Sequence, residues 1–260
     1  MSAVIEVDDI YKMYLLGNFG YGTIRHDLQS WIARLKGKDD PNAKVHGPRI
    51  GENEEFWALK GVSFSVEEGS KLAIVGKNGS GKSTILKILS RLTTPTSGEI
   101  RIRGRIASLL EVGTGFHPEL TGRENVYLNG AILGMRRHEI REKIDSIVSF
   151  AEVEQFIDTP VKRYSSGMYI RLAFAIAAHL NSDILLLDEV LAVGDAGFQE
   201  KCLKKIQEIS RSGKTIVFVS HSEVQVQALC DQAILLDHGK METTGTVKEV
   251  FTRYNELLHS

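Results

Sequence analysis

The chain has few of the residues that mark several large classes of protein. Its only two cysteines, Cys202 and Cys230, match no metal-binding or redox spacing, so we expect buried or idle thiols. A net charge of −1 with 25% charged residues gives no electrostatic reason to expect nucleic acid as a partner. No apolar run approaches the roughly 18 residues that a membrane span needs, and the acidic start is unlike a signal peptide. We therefore expect an intracellular protein that does not cross a bilayer by itself.

A glycine-rich segment with a lysine is the strongest motif present. Residues 76–84 read Gly-Lys-Asn-Gly-Ser-Gly-Lys-Ser-Thr and stand between an apolar strand at 71–75 and an apolar helical run at 85–89. This order is the context in which G-x-x-x-x-G-K-[ST] binds phosphates, through inward-facing N–H groups and the dipole of the helix. We expect Lys82 to reach the β- and γ-phosphates and Ser83 to bind Mg²⁺. The predicted phosphate-binding residues are Gly76, Asn78, Gly79, Gly81, Lys82, Ser83 and Thr84.

Polar residues follow two later strands. The apolar run 184–187 has the composition of a buried parallel strand, and Asp188 and Glu189 leave its carboxyl end, where ligands bind in such sheets. Asp188 suits Mg²⁺, and Glu189 is placed as a general base for an attacking water. His221 ends another β-rich strand, 216–220, so it points to the same edge.

The remaining pattern predicts an α/β fold with a mostly parallel sheet covered on both faces. The first strand is predicted at Ala3–Ile10, with Tyr11 and Tyr14 just beyond it. Three further regions complete the organisation: an insertion at 16–56, a helical subdomain at 113–165, and C-terminal strands and a helix at 222–260.

One further motif links these segments to a known family. Residues 164–168 read Tyr-Ser-Ser-Gly-Met and stand one helix and one short loop before the Asp-Glu strand end. With the phosphate loop, His221 and Asp195, they make the chain resemble an ATP-binding-cassette nucleotide-binding domain over nearly its whole length. The family signature is usually Leu-Ser-Gly-Gly-Gln. The chain keeps Ser165 and Gly167 of it and departs at positions 164, 166 and 168.

The resemblance implies a head-to-tail homodimer that holds two ATP molecules between phosphate loops and signatures. Ser165, Ser166 and Gly167 would then act on ATP bound by the other protomer, and Asp195 matches the D-loop. Glu189 and His221 would align the water that hydrolyses ATP. Two implied positions have alternatives. Tyr14 matches the aromatic residue that stacks on adenine, and Tyr11 and Trp57 are the alternatives. Glu111 stands where the family has a glutamine, and it is either a Mg²⁺ ligand or an ordinary polar residue at a strand end.

The departures from consensus resemble one branch of the family, the ATPase subunits of cell-surface polysaccharide exporters. They lie at 113–125, 164–168 and 190–195. The branch implies export of a lipid-linked polysaccharide, O-antigen first and teichoic acid or capsule as alternatives. The partner would be a polytopic permease in two copies, and this chain would lie at the cytoplasmic face of the inner or plasma membrane. Phe116, His117 and Pro118 would lie where the cassette contacts the coupling helix of the permease. The competing classes are a soluble cassette protein of DNA repair or translation, and a cassette that imports a small solute.

The insertion supports the same branch. It carries an apolar face with helical spacing over about 23–36, with basic residues beside it. The face consists of Ile24, Leu28, Trp31, Ile32 and Leu35. One interpretation is a helix packed on its own domain; the other, which the resemblance favours, is a gate-like helix at the membrane interface. We expect one nucleotide-binding domain over 1–260 and no carbohydrate-binding domain after it.

Overall fold

The computed structural model describes residues 2–16, 54–109, 113–188 and 195–259. The chain separates into two compact units, one of Met1–Lys12 with Ala58–Ser260 and one of Met13–Trp57. The described ends of the smaller unit are strand residues, 13–16 and 54–57. The five residues of the predicted gate-like helix, and Glu111 and Glu189, lie outside the described residues.

Nine described strands form two sheets. The smaller has the order β2-β1-β4 and the larger the order β5-β6-β7-β3-β8-β9. From β5 to β8 the neighbours are parallel, and β9 pairs antiparallel with β8. This is the mostly parallel sheet that the sequence predicts. The strands are β1 (Ala3–Leu16), β2 (Glu54–Glu67), β3 (Lys71–Val75), β4 (Ser97–Ile102), β5 (Ile106–Ser108), β6 (Ile184–Leu187), β7 (Thr215–Val219), β8 (Gln232–Asp237) and β9 (Lys240–Thr246).

Seven α-helices lie in the described residues, and none of these is both long and apolar enough to span a bilayer. They are α1 (Lys82–Leu89), α2 (Gly122–Ile132), α3 (Arg137–Ala151), α4 (Ser166–Ala178), α5 (Ala196–Arg211), α6 (Glu223–Leu229) and α7 (Val247–His259). The range 113–165, where a helical subdomain is predicted, contains α2, α3 and two short 3₁₀ turns. Its first helix starts at a capping box, in which the Thr121 N–H donates to Glu124 Oε2 (2.8 Å) and the Glu124 N–H donates to Thr121 Oγ1 (3.2 Å).

The larger sheet is covered on both faces because its strands alternate between two apolar clusters. In β3, Leu72 and Ile74 join residues of the smaller sheet and α1, whereas Ala73 and Val75 join residues of α2 to α5. The other central strands, β6, β7 and β8, follow the same alternation. The carboxyl ends of β3, β6, β7 and β8 are therefore held by packing on both faces of the sheet.

The first strand is longer than the sequence predicts. It runs to Leu16, so that Tyr11 and Tyr14 are strand residues rather than residues beyond the strand. The pairing partner explains this in part, because Tyr11 pairs with Ser97 of β4 after an irregularity in the register.

Candidate active site

Three predicted segments meet at the carboxyl edge of the larger sheet. The phosphate loop follows β3, His221 follows β7 and Asp188 follows β6, and these strands are neighbours in the order β6-β7-β3. Their registers agree, since Ile74 pairs with Val219 and Leu187 pairs with Phe218. Parallel pairing thus brings together residues that are more than 100 positions apart in the sequence.

The phosphate loop is shaped by close backbone approaches. A Cβ on Gly76 would lie 2.3 Å from the carbonyl oxygen of Leu236, and one on Gly81 would lie 2.7 Å from that of Ala58. Gly81 also has a φ of 106°, which only glycine adopts at low cost. Nothing lies within 4 Å of a Cβ built on Gly79, so the loop is open there. Asn78 is exposed on this open side.

Lys82 is the electrostatic centre of the loop. It is only 7% exposed, and its Nζ donates to the carbonyl oxygens of Gly76 (2.6 Å) and Lys77 (2.9 Å). Burial lowers the pKa of Lys82, and the negative charge of Asp188 opposes this effect. Burial likewise raises the pKa of Asp188, against the charges of Lys82 and Lys87. The two groups are therefore close enough to influence each other where a phosphate and a cation are predicted.

The residues present fit a bound phosphate chain. The Ser80 hydroxyl is buried without a hydrogen-bond partner among the described residues, although polar groups in protein interiors are normally paired. It belongs to the same turn as Gly79 and the Lys82 ammonium. Ser83, exposed in the first turn of α1, and Asp188 supply the hard oxygen ligands that Mg²⁺ prefers, and Thr84 follows half-buried.

The end of β7 is held by its own side chains. The buried Ser220 hydroxyl donates to Gln225 Oε1 (3.1 Å) and accepts from the Ser222 N–H (3.0 Å). His221 lies between these two serines and is exposed. The turn therefore holds the exposed His221 at the carboxyl edge of the sheet.

The signature residues lie at the start of α4. Ser165 is the N-cap, and its hydroxyl accepts from the Met168 N–H (3.2 Å). Ser165 and Ser166 are exposed, and only Ser165 Oγ, at 3.8 Å, lies near a Cβ built on Gly167. Among the described residues, no hydrogen bond or ion pair joins this segment to the phosphate loop of the same chain. An open helix N-terminus of this kind suits an anion brought by another molecule.

Tyr164 joins the signature to the helical subdomain. Its hydroxyl donates to the Phe156 carbonyl oxygen (2.8 Å), and burial raises its pKa to about 12. The hydroxyl would lie 2.1 Å from a Cβ on Gly122, the first residue of α2. Two of the unusual motifs in the sequence, at 113–125 and 164–168, are therefore in direct contact.

The loop 113–121 is braced from two directions. Asn125 is fully buried; its Nδ2 donates to the carbonyl oxygens of His117, Leu120 and Thr121, at 3.0–3.1 Å, and its Oδ1 accepts from the His117 N–H. From the other side, the Tyr169 hydroxyl donates to the Gly113 carbonyl oxygen (2.7 Å), and its ring lies 4.9 Å from that of Phe116. His117 and Pro118 are left exposed.

Asp195 lies at the start of α5. Its Oδ1 accepts from the Phe198 N–H (3.0 Å), and its Oδ2 pairs with Arg171 of α4. Arg171 also pairs with Glu152 (3.1 Å) and lies 5.2 Å above the ring of Phe198. The predicted D-loop residue is thus joined to α4, the helix that begins at the predicted signature.

The three candidates for adenine stacking differ in their surroundings. Tyr14 is 37% exposed, whereas Tyr11 is half-buried with its hydroxyl near Gly61. The Trp57 indole N–H donates to Glu55 Oε2 (3.3 Å).

Some residues of the site carry no signal in a single sequence. Arg171 and Asn125 act through partners that are distant in the sequence or through the backbone, and Ser80 occupies a position of the phosphate-loop motif that the motif leaves unspecified.

Comparison with known proteins identifies the family. Residues 59–192 match the family described as ABC transporter. The chain is 49% identical over 238 residues to the O-antigen export system ATP-binding protein RfbB of Myxococcus xanthus, covering 92% of this chain and 52% of that protein. The protein of the same name from Klebsiella pneumoniae is 42% identical, over 80% of this chain and 84% of its own length. The teichoic acids export ATP-binding protein TagH of Listeria monocytogenes is 45% identical, over 85% of this chain and 66% of its own length.

A solved structure agrees with the fold. The dimeric structure of MJ0796, a bacterial ABC transporter cassette, is 25% identical with a TM-score of 0.67, and the match covers 94% of this chain and 98% of that one. The chain spans about half the length of the Myxococcus relative, which extends beyond the matched region. With the α/β fold and the phosphate loop already placed, these matches show that the chain belongs to the ABC transporter family and contains its ATP-binding cassette.

Proposed function

We propose that this chain is the ATP-hydrolysing subunit of an exporter for a lipid-linked cell-surface polysaccharide, with O-antigen as the first candidate. The observation that carries the proposal is the identity of 42–49% to two O-antigen export ATP-binding proteins. Teichoic acid is the second candidate, favoured by the 45% identity to a teichoic acids export protein.

In the proposed mechanism, two copies of the chain bind two ATP molecules head to tail. The phosphate loop of one protomer, with Lys82, holds the phosphates, and the open N-terminus of α4 in the other protomer contacts the γ-phosphate. Ser83 and Asp188 would hold Mg²⁺, which when bound neutralises phosphate charge. Glu189 takes a proton from the attacking water and His221 orients it. Hydrolysis reopens the dimer, and catalysis consists mainly of positioning and charge stabilisation.

The membrane partner would be a permease in two copies, with this chain at the cytoplasmic face. A cavity of about 430 Å³ supports a docking place for it, between the end of α1, β5 and the end of α2. Two large apolar side chains on its lining are exposed, Leu92 (49%) and Ile132 (60%). Thr114 lines the same cavity, three residues before the exposed His117 and Pro118.

The gate-like helix, at about 23–36, would lie near the substrate portal. Its test is deletion of residues 23–37, for which loss of export with intact ATPase supports a gate and an insoluble protein supports core packing.

The experiment combines ATPase activity and export. Glu189→Gln should lower ATP turnover by at least a hundredfold while ATP binding persists, because a general base is lost and the phosphate loop is not. Glu68→Gln is the matched control, since Glu68 is exposed before β3, at the opposite end of that strand from the phosphate loop. Undiminished turnover of the Glu189 variant would refute the catalytic assignment. In a strain that lacks the gene, the unaltered chain should restore polysaccharide at the cell surface and the variant should not; surface polysaccharide unaffected by loss of the gene would refute the export role.

A further inference from the structure

Arg91 has a backbone conformation that normally selects glycine. Helix α1 ends in a Schellman motif, in which the Arg91 N–H donates to the Ile88 carbonyl oxygen (3.0 Å) and the Leu92 N–H donates to that of Lys87 (2.9 Å). In this motif the residue after the cap is left-handed, and Arg91 has a φ of 61°. A side chain in this region is strained relative to glycine. The chain therefore keeps an arginine at a position where glycine would make a more stable helix end.

Nothing within the described chain accounts for that arginine. Another left-handed residue, Glu152, is held in place by ion pairs to Arg171 and Lys201. Arg91, in contrast, is exposed, and its side chain makes no hydrogen bond or ion pair with any described residue. A strained residue with no internal role points to a role in recognition.

The position of Arg91 indicates what it would recognise. It lines the cavity of about 430 Å³ beside Leu92, and it is the one charged residue among the twelve described lining residues. The rest of the lining is apolar or uncharged and includes Ile132, the last residue of α2. A complementary ligand would place apolar side chains against Leu92 and Ile132 and one negative charge against the guanidinium.

We propose that Arg91 is a specificity-determining residue for the membrane subunit, and that it pairs with a carboxylate on the cytoplasmic segment that fills this cavity. The inference rests on the proposed function and adds the chemistry of the contact. Apolar neighbours reduce solvent screening around the pair once the cavity is filled, and a guanidinium can hold a carboxylate through two parallel hydrogen bonds. A charge pair at such a surface fixes the orientation and choice of partner more than it adds raw affinity.

The decisive variant is Arg91→Gly, because the two roles predict opposite signs. Relief of the left-handed strain should raise the melting temperature of the isolated chain by about 2 °C. Loss of the carboxylate contact should weaken binding to the polytopic membrane subunit encoded beside it, purified in detergent, by roughly tenfold. Arg91→Lys should retain most of the binding, since it keeps the charge. His238→Gly is the matched control, because His238 is also left-handed (φ 45°) and lies in the β8–β9 turn, which does not line the cavity. This variant should gain stability without losing binding to the membrane subunit.

A charge reversal tests the partner's chemistry. Arg91→Glu should weaken binding more than Arg91→Gly, and a carboxylate-to-arginine change in the cytoplasmic segment of the membrane subunit should restore it. Unchanged binding of Arg91→Gly by a membrane subunit that binds the unaltered chain would overturn this inference and leave the proposed function standing. Failure of the unaltered chain to bind that subunit would overturn the proposed function, and this inference with it.

Discussion

At the scale of single residues, the departure of the signature from its family consensus has a structural reason. The consensus leucine has no polar group, whereas Tyr164 donates a hydrogen bond to the Phe156 carbonyl oxygen. The Tyr164 hydroxyl has room only because residue 122 is glycine. A Cβ at position 122 would lie 2.1 Å from this hydroxyl oxygen. Tyr164 and Gly122 therefore depend on each other.

We predict that Gly122→Ala destabilises the chain by about 1–3 kcal/mol, because the added methyl group overlaps the Tyr164 hydroxyl in a packed site. Tyr164→Phe alone should cost about 1 kcal/mol for the lost hydrogen bond. The double variant should be more stable than the sum of the two losses implies, since the phenylalanine ring leaves room for the methyl group. Urea unfolding of all four proteins measures this coupling, and additive losses would show that the two positions are independent.

The two cysteines give a second prediction at this scale. Burial raises the thiol pKa of Cys202 and of Cys230 to about 12, from an ordinary value of 9.0. Since the thiolate is the reactive form, neither should react with a disulfide reagent at pH 8 until the chain unfolds, when both should react.

The raised thiol pKa values also mean that the folded state binds more protons than the unfolded state between pH 9 and 12. Their contribution to stability is thus present below pH 9 and is lost as the pH rises through this window. Rapid labelling of the folded chain would contradict the burial.

At the scale of elements, α4 and α5 are joined where they begin. Arg171 lies in the second turn of α4 and bonds Asp195, the N-cap of α5, so that one ion pair joins the helix that follows the predicted signature to the predicted D-loop residue. The backbone N–H of Phe198, more than the charge of Arg171, lowers the pKa of Asp195. The cap and the ion pair are thus two separable functions of one carboxylate.

Substitution at Asp195 should separate them. Asp195→Asn keeps an oxygen for the Phe198 N–H but loses the charge, whereas Asp195→Ala loses both, so the urea midpoint should fall in the order unaltered, Asn, Ala. Both variants should lose ATPase activity, by roughly tenfold, because the D-loop is no longer held to α4. The lowered pKa means that the carboxylate stabilises the folded state at pH values above the ordinary pKa of an aspartate. This stabilisation is lost as the pH falls through the depressed pKa. The unaltered chain should therefore approach the Asn variant in stability at acid pH, and a constant difference would contradict the assignment.

Much of the element order is predictable from the sequence, and the reasons are local. The apolar runs at 71–75, 184–187 and 216–220 and the glycine loop are short-range patterns, so β3, β6, β7 and α1 lie where the sequence predicts them. The extension of β1 to Leu16 is not predictable in this way, because it depends on pairing with distant strands. The same holds for Arg171, Asn125 and Arg91, whose roles follow from tertiary contacts or from a backbone angle.

At the scale of the whole molecule, the site of one chain is incomplete. The phosphate loop, Asp188 and His221 lie together at one sheet edge, whereas the signature is exposed at the start of α4, and among the described residues no hydrogen bond or ion pair joins it to that loop. The proposed head-to-tail dimer accounts for both facts, because each exposed signature then faces the phosphate loop of the other protomer. A symmetric pair of this kind has two equal sites, each built from two chains.

Complementation between two inactive variants tests this arrangement. Lys82→Ala removes the phosphate contact, and Gly167→Asp places a negative charge at the signature, where the open space leaves the fold intact. Each variant alone has two damaged sites. In a mixed dimer both lesions fall in one site, and the other site combines an intact loop with an intact signature. With random pairing of equal amounts, about half of the dimers are mixed, so ATPase activity should return to about a quarter of that of the unaltered chain if the sites work independently.

The double variant Lys82→Ala/Gly167→Asp mixed with the unaltered chain is the matched control, since its mixed dimers carry one lesion in each site and should add no activity. Inactive mixtures of proteins that still form dimers by light scattering would show either that the sites must act together or that each chain completes its own site. A mixed dimer of the double variant with the unaltered chain decides between these two, because that pair is active only if each chain completes its own site.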